Sequence, residues 1–252
     1  MGMDEFDSIH AVGALADPVR RDLYEYVVAQ LDAVGRKQAA EAVGTPQHTA
    51  KFHLDRLVEE GLLSVEYRRL TGKTGPGAGR PSKLYRRSDA QIEVSLPGRQ
   101  YDLMGGILAA AVERNDSPAM QEALKTVAHA AGQSTGEAYR DATPIPDPAL
   151  TEIADALADH EFEPVIMGDV VRLRNCPFDH LAKDHTQLVC GVNHNYVQGV
   201  VDGLGCRCAH ASLEPESGYC CVTIREGRPA DEKPSTDSSA ASSTGCGCQR
   251  HD

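Results

Sequence analysis

The cysteines of this 252-residue chain are confined to its last third, which indicates two parts with different chemistry. The first six fall among predicted strands and a helix, where they could converge on one point. The length favours one or two domains with a connecting piece. We therefore expect a cysteine-free N-terminal module joined to a C-terminal half that binds something through thiolates. The cysteines are Cys176, Cys190, Cys206, Cys208, Cys220, Cys221, Cys246 and Cys248.

The start of the chain and its hydropathy indicate where those cysteines reside. Residues 1–8 are acidic and polar, unlike a secretory signal, and no apolar run approaches the roughly 20 residues that span a membrane. We therefore expect a cytoplasmic protein with no membrane partner. In a reducing cytosol, clustered cysteines more often bind metal or sense redox state than form structural disulfides.

Charge is distributed unevenly along the chain. The formal net charge is −12, yet residues 1–100 hold 14 basic and 14 acidic residues, so the excess acid lies beyond them. Residues 66–88 hold seven basic side chains against Glu66 alone. A local basic stripe, rather than the pI of the whole chain, is typical of phosphate binding. The alternative is a solvated hairpin on an acidic protein.

Helix start and stop signals are clear in the N-terminal half. Asp17-Pro18 opens a helix over 18–30, and a short helix over 35–43 ends at Gly44. The next helix is predicted from Gln47 to Glu60. Two short helices joined by a glycine-containing turn are typical of a helix-turn-helix.

A basic β-hairpin is predicted after these helices. Strand character over 62–68 and 83–87 flanks TGKTGPGAGRPS (71–82), which is too rich in glycine and proline for regular structure. The segments TAKFHLDRLVEEGLL (49–63) and GRPSKLYRRS (79–88) resemble the winged helix of ArsR-type bacterial regulators. In that family the second helix enters the major groove of double-stranded operator DNA. A winged helix used only for protein contacts is the alternative.

The resemblance implies that residues 4–95 form a winged helix-turn-helix DNA-binding domain with contacts from helix and wing. Lysine can pair with guanine edges and glutamine with adenine, whereas basic residues on a wing grip phosphates and carry no sequence information. The implied helix residues are Gln47, His48, Lys51 and Phe52, with Arg56 near phosphate, and the implied wing residues are Arg80, Lys83, Arg86 and Arg87.

Residues 96–147 form a predicted helical connector, with helices over 100–114 and 118–140. Winged-helix repressors usually work as dimers, because two half-sites one helical turn apart need two readers. We therefore expect the connector to provide a homodimer surface, although its apolar residues could equally form an intramolecular core. Residues 227–252 are rich in serine, proline and acidic residues and are expected to be disordered. The terminal Cys-x-Cys could bind metal or be an irrelevant tail.

Residues 148–226 have the order helix, two strands, helix, two strands, which predicts an α+β layer and an α+β class for the chain. A hairpin is predicted over 162–174, followed by a helical stretch that starts at Cys176. The last strand is predicted over 219–225, with Cys220 facing inward and Cys221 outward.

The cysteine spacing in this domain favours a cluster over a zinc knuckle. Zinc sites usually pair ligands as C-x₂₋₄-C, whereas the candidates here are separated by 13, 15 and 13 residues. Wide spacing draws each ligand from a different element, which suits an iron–sulfur cluster. The segments NCPFDHLAKDHTQLVCGVNHNYVQGVVDGLG (175–205) and PESGYCCVTI (215–224) resemble the cluster-binding half of SufR-type regulators, winged-helix repressors of iron–sulfur assembly genes.

The SufR resemblance implies a homodimeric repressor that holds a [4Fe-4S] cluster and releases the operator when iron shortage or oxidation removes it. It implies Cys176, Cys190 and one of the Cys220-Cys221 pair as ligands. The fourth ligand stays open, since Cys206 or Cys208 stands near the expected place. Nearby alternatives are His180, His185 and His194. The predicted ligands are Cys176, Cys190, Cys206 and Cys220, with Cys208 and Cys221 as alternates.

Two other functions would also use these cysteines. A winged-helix regulator that binds Zn²⁺, or responds through its thiols, would share the DNA-binding half. A thiol-based redox enzyme would need a low-pKa nucleophile in a basic setting at a helix N-terminus, which only Cys176, near Arg172 and Arg174, approaches. The sequence contains no phosphate loop, serine triad or paired-carboxylate motif. We therefore expect a regulator with no small-molecule substrate, and not an enzyme.

Overall fold

A computed structural model describes residues 5–69, 81–143, 146, 148–207 and 209–227. The chain divides into two units, Met1–Arg99 and Gln100–Asp252. Each unit combines helices with an antiparallel sheet, so the predicted α+β class is confirmed. Over the described ranges, no helix has the length and apolar character to cross a bilayer.

The helices of the N-terminal unit begin and end where the sequence signals lie. The Asp17 carboxylate accepts a hydrogen bond from the Arg20 N–H at 2.9 Å, and Pro18 occupies the first turn. Gly44 ends the third helix in the left-handed region, at φ 71°. The helices are α1 (Glu5–Ala14), α2 (Pro18–Ala29), α3 (Arg36–Val43) and α4 (Gln47–Glu59).

A small antiparallel sheet completes this unit. Its strands in the described residues are β1 (Val34–Gly35), β2 (Leu63–Arg68) and β3 (Ser82–Arg87), in the order β1-β3-β2. β2 and β3 form the predicted wing hairpin, whose tip at residues 70–80 lies outside the described residues. The Tyr85 ring of β3 is buried in one core with Leu54 and Leu57 of α4. The base of the wing is therefore fixed against α4.

The C-terminal unit contains the remaining helices and a second antiparallel sheet. The helices are α5 (Tyr101–Arg114), α6 (Pro118–Ala142), α7 (Leu150–Ala158), α8 (Asp179–Asp184) and α9 (Thr186–Leu204). The strands are β4 (Pro164–Met167), β5 (Val170–Leu173), β6 (Ala209–Leu213) and β7 (Val222–Glu226), and in the described residues their order is β4-β5-β7-β6. Buried side chains of α7 and α9 pack with those of this sheet to form the core.

Two of the predicted boundaries in this unit are wrong. β7 begins at Val222, so Cys220 and Cys221 lie in the irregular segment before the strand, and the parity argument that separated their side chains does not apply. The helix expected to start at Cys176 begins only at Asp179. Both changes leave cysteines in non-repetitive backbone, where neighbouring side chains need not point to opposite faces.

Helices α6 and α9 cross with their backbones in contact. A Cβ atom added at Gly132 of α6 would lie 1.9 Å from a backbone oxygen of α9, and one added at Gly199 of α9 would lie 2.1 Å from a backbone oxygen of α6. The same close approach recurs one turn further along, at Gly136 and Gly203. Only glycine allows this crossing. The predicted connector is therefore built into the same unit as the predicted sensor domain.

Helix α5 lies largely outside the core. Among the described residues of α5, Ala109 is the one buried side chain. An exposed apolar surface of this extent on a helix is typical of an interaction site. We call it the α5 apolar surface, and its large side chains, each more than half exposed, are Tyr101, Leu103, Met104, Ile107 and Leu108.

Candidate nucleic-acid interface and cysteine site

The exposed face of α4 carries all the residues predicted to contact DNA from this helix. Ala50, Leu54 and Leu57 recur at helical spacing and face the core. The opposite face includes Phe52, a large aromatic side chain that is 63 % exposed. The exposed predicted residues are Gln47, His48, Lys51, Phe52 and Arg56.

Some charge on this face is already paired within the protein. Arg56 forms ion pairs with Glu59, at 3.2 Å, and with Glu60. On the inner side of α4, His53 is buried, and its Nδ1 accepts a hydrogen bond from Arg20 Nε of α2 at 3.3 Å. A shallow groove runs along the exposed face, and its lining includes Arg20, His48 and Lys51. Part of the Arg56 charge is therefore shared with carboxylates.

Lys83, predicted to grip phosphate from the wing, binds α4 in the structure. Its Nζ donates to Asp55 Oδ1 at 2.5 Å, and the Tyr85 hydroxyl donates to the same oxygen at 2.8 Å. Burial raises the pKa of Asp55, but the hydrogen bonds from Lys83 and Tyr85 outweigh that effect and leave the pKa lowered. The aspartate is thus ionised, and Lys83 joins the wing to α4.

The structure describes two of the three remaining wing arginines, and they differ in exposure. The Arg86 guanidinium is half exposed and lies 3.4 Å from the Asp89 carboxylate. Arg87 is partly exposed at the end of β3. Arg80 lies outside the described residues. Exposed ion pairs of this kind contribute little to stability, so Arg86 can exchange Asp89 for a phosphate at small cost.

Four cysteines approach one another at the N-terminal half of α9. Cys190 and Asn193 stand three residues apart on α9 and so share one face. Cys176 comes from the segment before α8, and Cys220 and Cys221 come from the loop before β7. We call the group formed by Cys176, Cys190, Cys220 and Cys221 the four-sulfur site.

Asn193 joins two cysteines of the four-sulfur site that come from different segments. Its side-chain Nδ2 donates to Cys220 Sγ at 3.3 Å and to Cys176 Sγ at 3.9 Å. Cys190 and Cys221 are joined to each other by a disulfide bond. The four sulfurs therefore come from three separate segments of the chain, and two of them share one buried amide.

The two free thiols of this site differ in acidity. A hydrogen bond from Cys176 lowers the pKa of Cys220; burial opposes this, and the N–H of Val222 and the Asn193 amide lower the pKa further. The pKa of Cys176 is raised, because its proton stays in the hydrogen bond to Cys220 and because burial disfavours the thiolate. Cys220 is therefore the first of the pair to ionise, as a metal ligand must.

The loop that carries Cys220 and Cys221 is held by backbone hydrogen bonds. The Cys220 N–H donates to the Leu173 carbonyl at 2.7 Å, and the Glu214 N–H donates to the Cys221 carbonyl at 2.8 Å. The Arg225 guanidinium also binds the Glu214 carboxylate through two hydrogen bonds, of 2.6 and 2.7 Å. Such bidentate pairs are geometrically specific. These hydrogen bonds therefore fix the position of the loop that carries Cys220 and Cys221.

Cys206 is not brought to the four-sulfur site. Its N–H donates to the Val201 carbonyl at 3.3 Å, and Val201 lies about 16 Å along α9 from Cys190 at 1.5 Å per residue. This separation corrects the predicted set at Cys206, because one centre cannot bind sulfurs at both ends of a helix. Cys208 lies outside the described residues.

The histidines considered as a fourth ligand have other partners. His180 lies 3.5 Å from the Asp102 carboxylate, and His185 Nδ1 lies 2.8 Å from Glu113. His194 Nε2 bonds the Ala211 carbonyl at 3.1 Å. With Cys190 and Cys221 bonded to each other, the described part of the chain holds no group of three His, Cys, Asp or Glu side chains arranged for a metal ion.

Sequence reasoning missed three features of this site. It did not predict the disulfide, and it kept Cys221 only as an alternate. It also did not single out Asn193, although a polar residue three positions after Cys190 in an apolar helix was a readable signal.

Comparison with known proteins finds one similarity, which lies within the N-terminal unit. Residues 15–66 match a family model described as a helix-turn-helix domain, which spans α2, α3, α4 and the start of β2. The match indicates a DNA-binding regulator rather than an enzyme, with DNA as its partner. No curated protein and no solved structure matches the chain.

Proposed function

We propose that this protein is a transcriptional repressor whose operator binding depends on a [4Fe-4S] cluster held by the four-sulfur site. One observation carries the proposal: Cys176 from the segment before α8 and Cys220 from the loop before β7 share one buried amide, and Cys221, next to Cys220, is bonded to Cys190 of α9. The winged ArsR-like domain would contact the operator. Iron–sulfur assembly genes are the expected targets, on the strength of the SufR resemblance.

The donor set fits such a cluster by its chemistry. Proteins hold iron–sulfur clusters with cysteine thiolates, here supplied from several directions. The Asn193 Oδ1 atom is buried and has no hydrogen-bond partner, which marks a polar point within an apolar core. Cluster binding requires reduction of the Cys190–Cys221 disulfide, because both sulfurs must be free thiolates. A bound cluster would be lost under oxidation or iron shortage, and that loss would be the signal.

The proposed ligands are Cys176, Cys190, Cys220 and Cys221, so Cys221 replaces Cys206 in the set predicted from sequence. Support for Cys221 is its bond to Cys190, which brings the two side chains to one place in the fold. Its neighbour Cys220 is hydrogen-bonded through the same Asn193 amide as Cys176. Cys206 remains available as a matched control.

A homodimer through the α5 apolar surface is part of the proposal. Large exposed apolar surface on a single chain favours association with a second copy. Helix α5 contacts α8 through the His180–Asp102 pair and the junction of α8 with α9 through the His185–Glu113 pair, and α8 begins three residues after Cys176. A change at Cys176 can therefore reach the dimer surface within one short segment. Operator half-sites require a fixed spacing between two readers.

The cluster affects DNA binding only if the DNA-competent form binds it more tightly than the other form. The ligand segments suit this role because they are short and irregular on either side of α9. In the cluster-binding form, Cys176 and the Cys220-Cys221 loop are drawn to Cys190 together. In the oxidised form, Cys190 is bonded to Cys221, whereas Cys176 keeps a free thiol that accepts a hydrogen bond from Asn193.

The test compares wild type with Cys190→Ser, Cys221→Ser and Cys206→Ser, all purified with a thiol reductant in the absence of oxygen. We would measure visible absorption, iron and sulfide content, and binding to DNA selected by the wild type from a random library. Cys206→Ser is the matched control, because it removes a buried sulfur outside the four-sulfur site.

The proposal predicts a brown wild type with equal iron and sulfide, retained in Cys206→Ser and lost in the other two variants. DNA affinity should fall with the cluster. A colourless wild type with stoichiometric zinc would replace the cluster with the zinc alternative. Loss of the cluster in Cys206→Ser, with retention in Cys221→Ser, would restore the ligand set predicted from sequence.

A further inference from the structure

Asn193 occupies a position where an apolar side chain would be expected. It lies in the middle of α9, is 1 % exposed, and has the buried residues Val189 and Val197 one turn to either side. Asparagine is a poor residue for a helix interior. A buried amide also loses its hydrogen bonds to water and needs partners within the protein. Asn193 therefore destabilises this helix unless its contacts offset these costs.

The partners of Asn193 are sulfurs. Nδ2 lies 3.3 Å from Cys220 Sγ and 3.9 Å from Cys176 Sγ, whereas Oδ1 is buried without a partner. A leucine at this position would fill similar volume and leave no unpaired oxygen. What leucine could not do is donate a hydrogen bond to either sulfur. The amide thus has a function directed at Cys176 and Cys220.

We propose that Asn193 is a positioning residue of the four-sulfur site, which orients the Cys176 and Cys220 thiolates and raises the reduction potential of the metal centre they bind. The identity of that centre as an iron–sulfur cluster rests on the proposed function. The orientation of the two sulfurs does not, because it is read from the hydrogen bonds of the protein alone.

The direction of the effect follows from electrostatics. The positive end of an N–H dipole stabilises negative charge on a thiolate, and such charge-assisted hydrogen bonds are the stronger kind. Reduction adds negative charge to the centre and its ligands, so the reduced form gains more from Asn193 than the oxidised form. Hydrogen bonds to the sulfurs are one of the factors that set cluster potentials. Removal of the donor should therefore lower the potential.

The variants are Asn193→Leu, which removes the donor, and Asn193→Asp, which removes it and adds negative charge at similar size. Asn195→Leu is the matched control, because it makes the same substitution in the same helix. The Asn195 amide donates to the Gly191 carbonyl at 2.7 Å, so it serves the backbone and no sulfur.

Two properties are measured in each variant. The first is the midpoint potential of the anaerobically reconstituted protein, from a redox titration. The second is the sulfur-to-metal charge-transfer band of the reduced protein loaded with Co²⁺ alone. This band should move to longer wavelength when the sulfur lone pairs lose the N–H donor.

We expect the potential to fall in the order wild type, Asn193→Leu, Asn193→Asp, and the Co²⁺ band to shift in Asn193→Leu, with Asn195→Leu unchanged in both. Wild-type values in Asn193→Leu would show that the amide only fills space and would overturn the inference. If Asn193→Leu does not fold, an unchanged potential in Asn193→Asp overturns it equally. A wild type that binds Co²⁺ through thiolates but assembles no cluster would refute the proposed function. The shift of the Co²⁺ band in Asn193→Leu would then test the role of Asn193 by itself.

Discussion

Replacing Gly132 with alanine is expected to destabilise the C-terminal unit, because the added Cβ has no room. It would lie 1.9 Å from the carbonyl oxygen of Tyr196 and 2.8 Å from the carbonyl carbon, where ordinary contact begins at 3.4 Å. Both atoms belong to the backbone of α9, so no side chain can rotate away. Relief requires α6 and α9 to separate by about 1.5 Å, and a close-packed interior resists such a shift.

The size of the effect follows from two opposing contributions. Overpacking of this kind costs about 1–3 kcal/mol. Alanine in a helix interior is more stable than glycine by about 0.5–1 kcal/mol, which offsets part of the cost. We expect a net loss of up to about 2.5 kcal/mol, and a lowering of the unit's melting temperature by up to about 10 °C for a unit of this size.

The matched control is Gly191→Ala in α9, the helix that α6 crosses, where an added Cβ meets nothing within 4 Å. It should leave the melting temperature unchanged or raise it slightly, because only the gain in helix propensity remains. Differential scanning calorimetry of the full chain measures both variants, since separate transitions report on separate units. A melting temperature for Gly132→Ala that equals or exceeds that of Gly191→Ala would refute the crossing described here.

Three further substitutions test other parts of the structure. Asp55→Asn removes the carboxylate shared by Lys83 and Tyr85 and should lower the free energy of unfolding by about 1 kcal/mol at neutral pH. Because the folded-state pKa of Asp55 is lowered, this contribution is present above the unfolded value of 3.8 and is lost as pH falls through the folded value. The free energies of unfolding of wild type and variant, measured by urea titration, should therefore converge in acid. In the oxidised protein without metal, Cys190→Ser opens a disulfide with a sequence separation of 31 and should cost about 2–4 kcal/mol by denaturant unfolding, with no difference after reduction. Leu108→Glu places a charge on the α5 apolar surface and should yield monomers in sedimentation velocity with unchanged circular dichroism, since Leu108 is 59 % exposed; a dimer of wild-type stability would exclude this surface as the interface.

The N-terminal fold was readable from the sequence because its helix ends depend on local interactions. The Asp17 cap, the proline in the first turn of α2 and the left-handed Gly44 are set by residues within a few positions. The wing strands were also predicted, since their apolar residues alternate on either side of a glycine- and proline-rich segment. The bond between Lys83 and Asp55 was not predicted, because it joins positions 28 apart in the sequence.

The cysteine site shows where such local reasoning fails. The parity argument for Cys220 and Cys221 required a strand that begins before them, but the Cys220 N–H is bound by the Leu173 carbonyl and the strand starts only at Val222. This tertiary contact turns both sulfurs toward α9. The exclusion of Cys206 follows from the length of α9, a distance that spacing along the chain does not reveal.

Helix α9 carries two structural features on two parts of its surface, and under the proposed function together they limit how a change at the four-sulfur site can reach other helices. Its N-terminal half carries Cys190 and Asn193, while Gly199 and Gly203 in its C-terminal half lie against the backbone of α6. Backbones in contact cannot slide without breaking the packing of both helices, so α9 and α6 move together or not at all. The segment from Cys176 to α8 is held more loosely, by exposed pairs such as His180 with Asp102 and by hydrogen bonds to sulfur. A change in ligation is therefore expected to leave α9 in place, move Cys176 and α8, and reach the α5 apolar surface without rearranging the core.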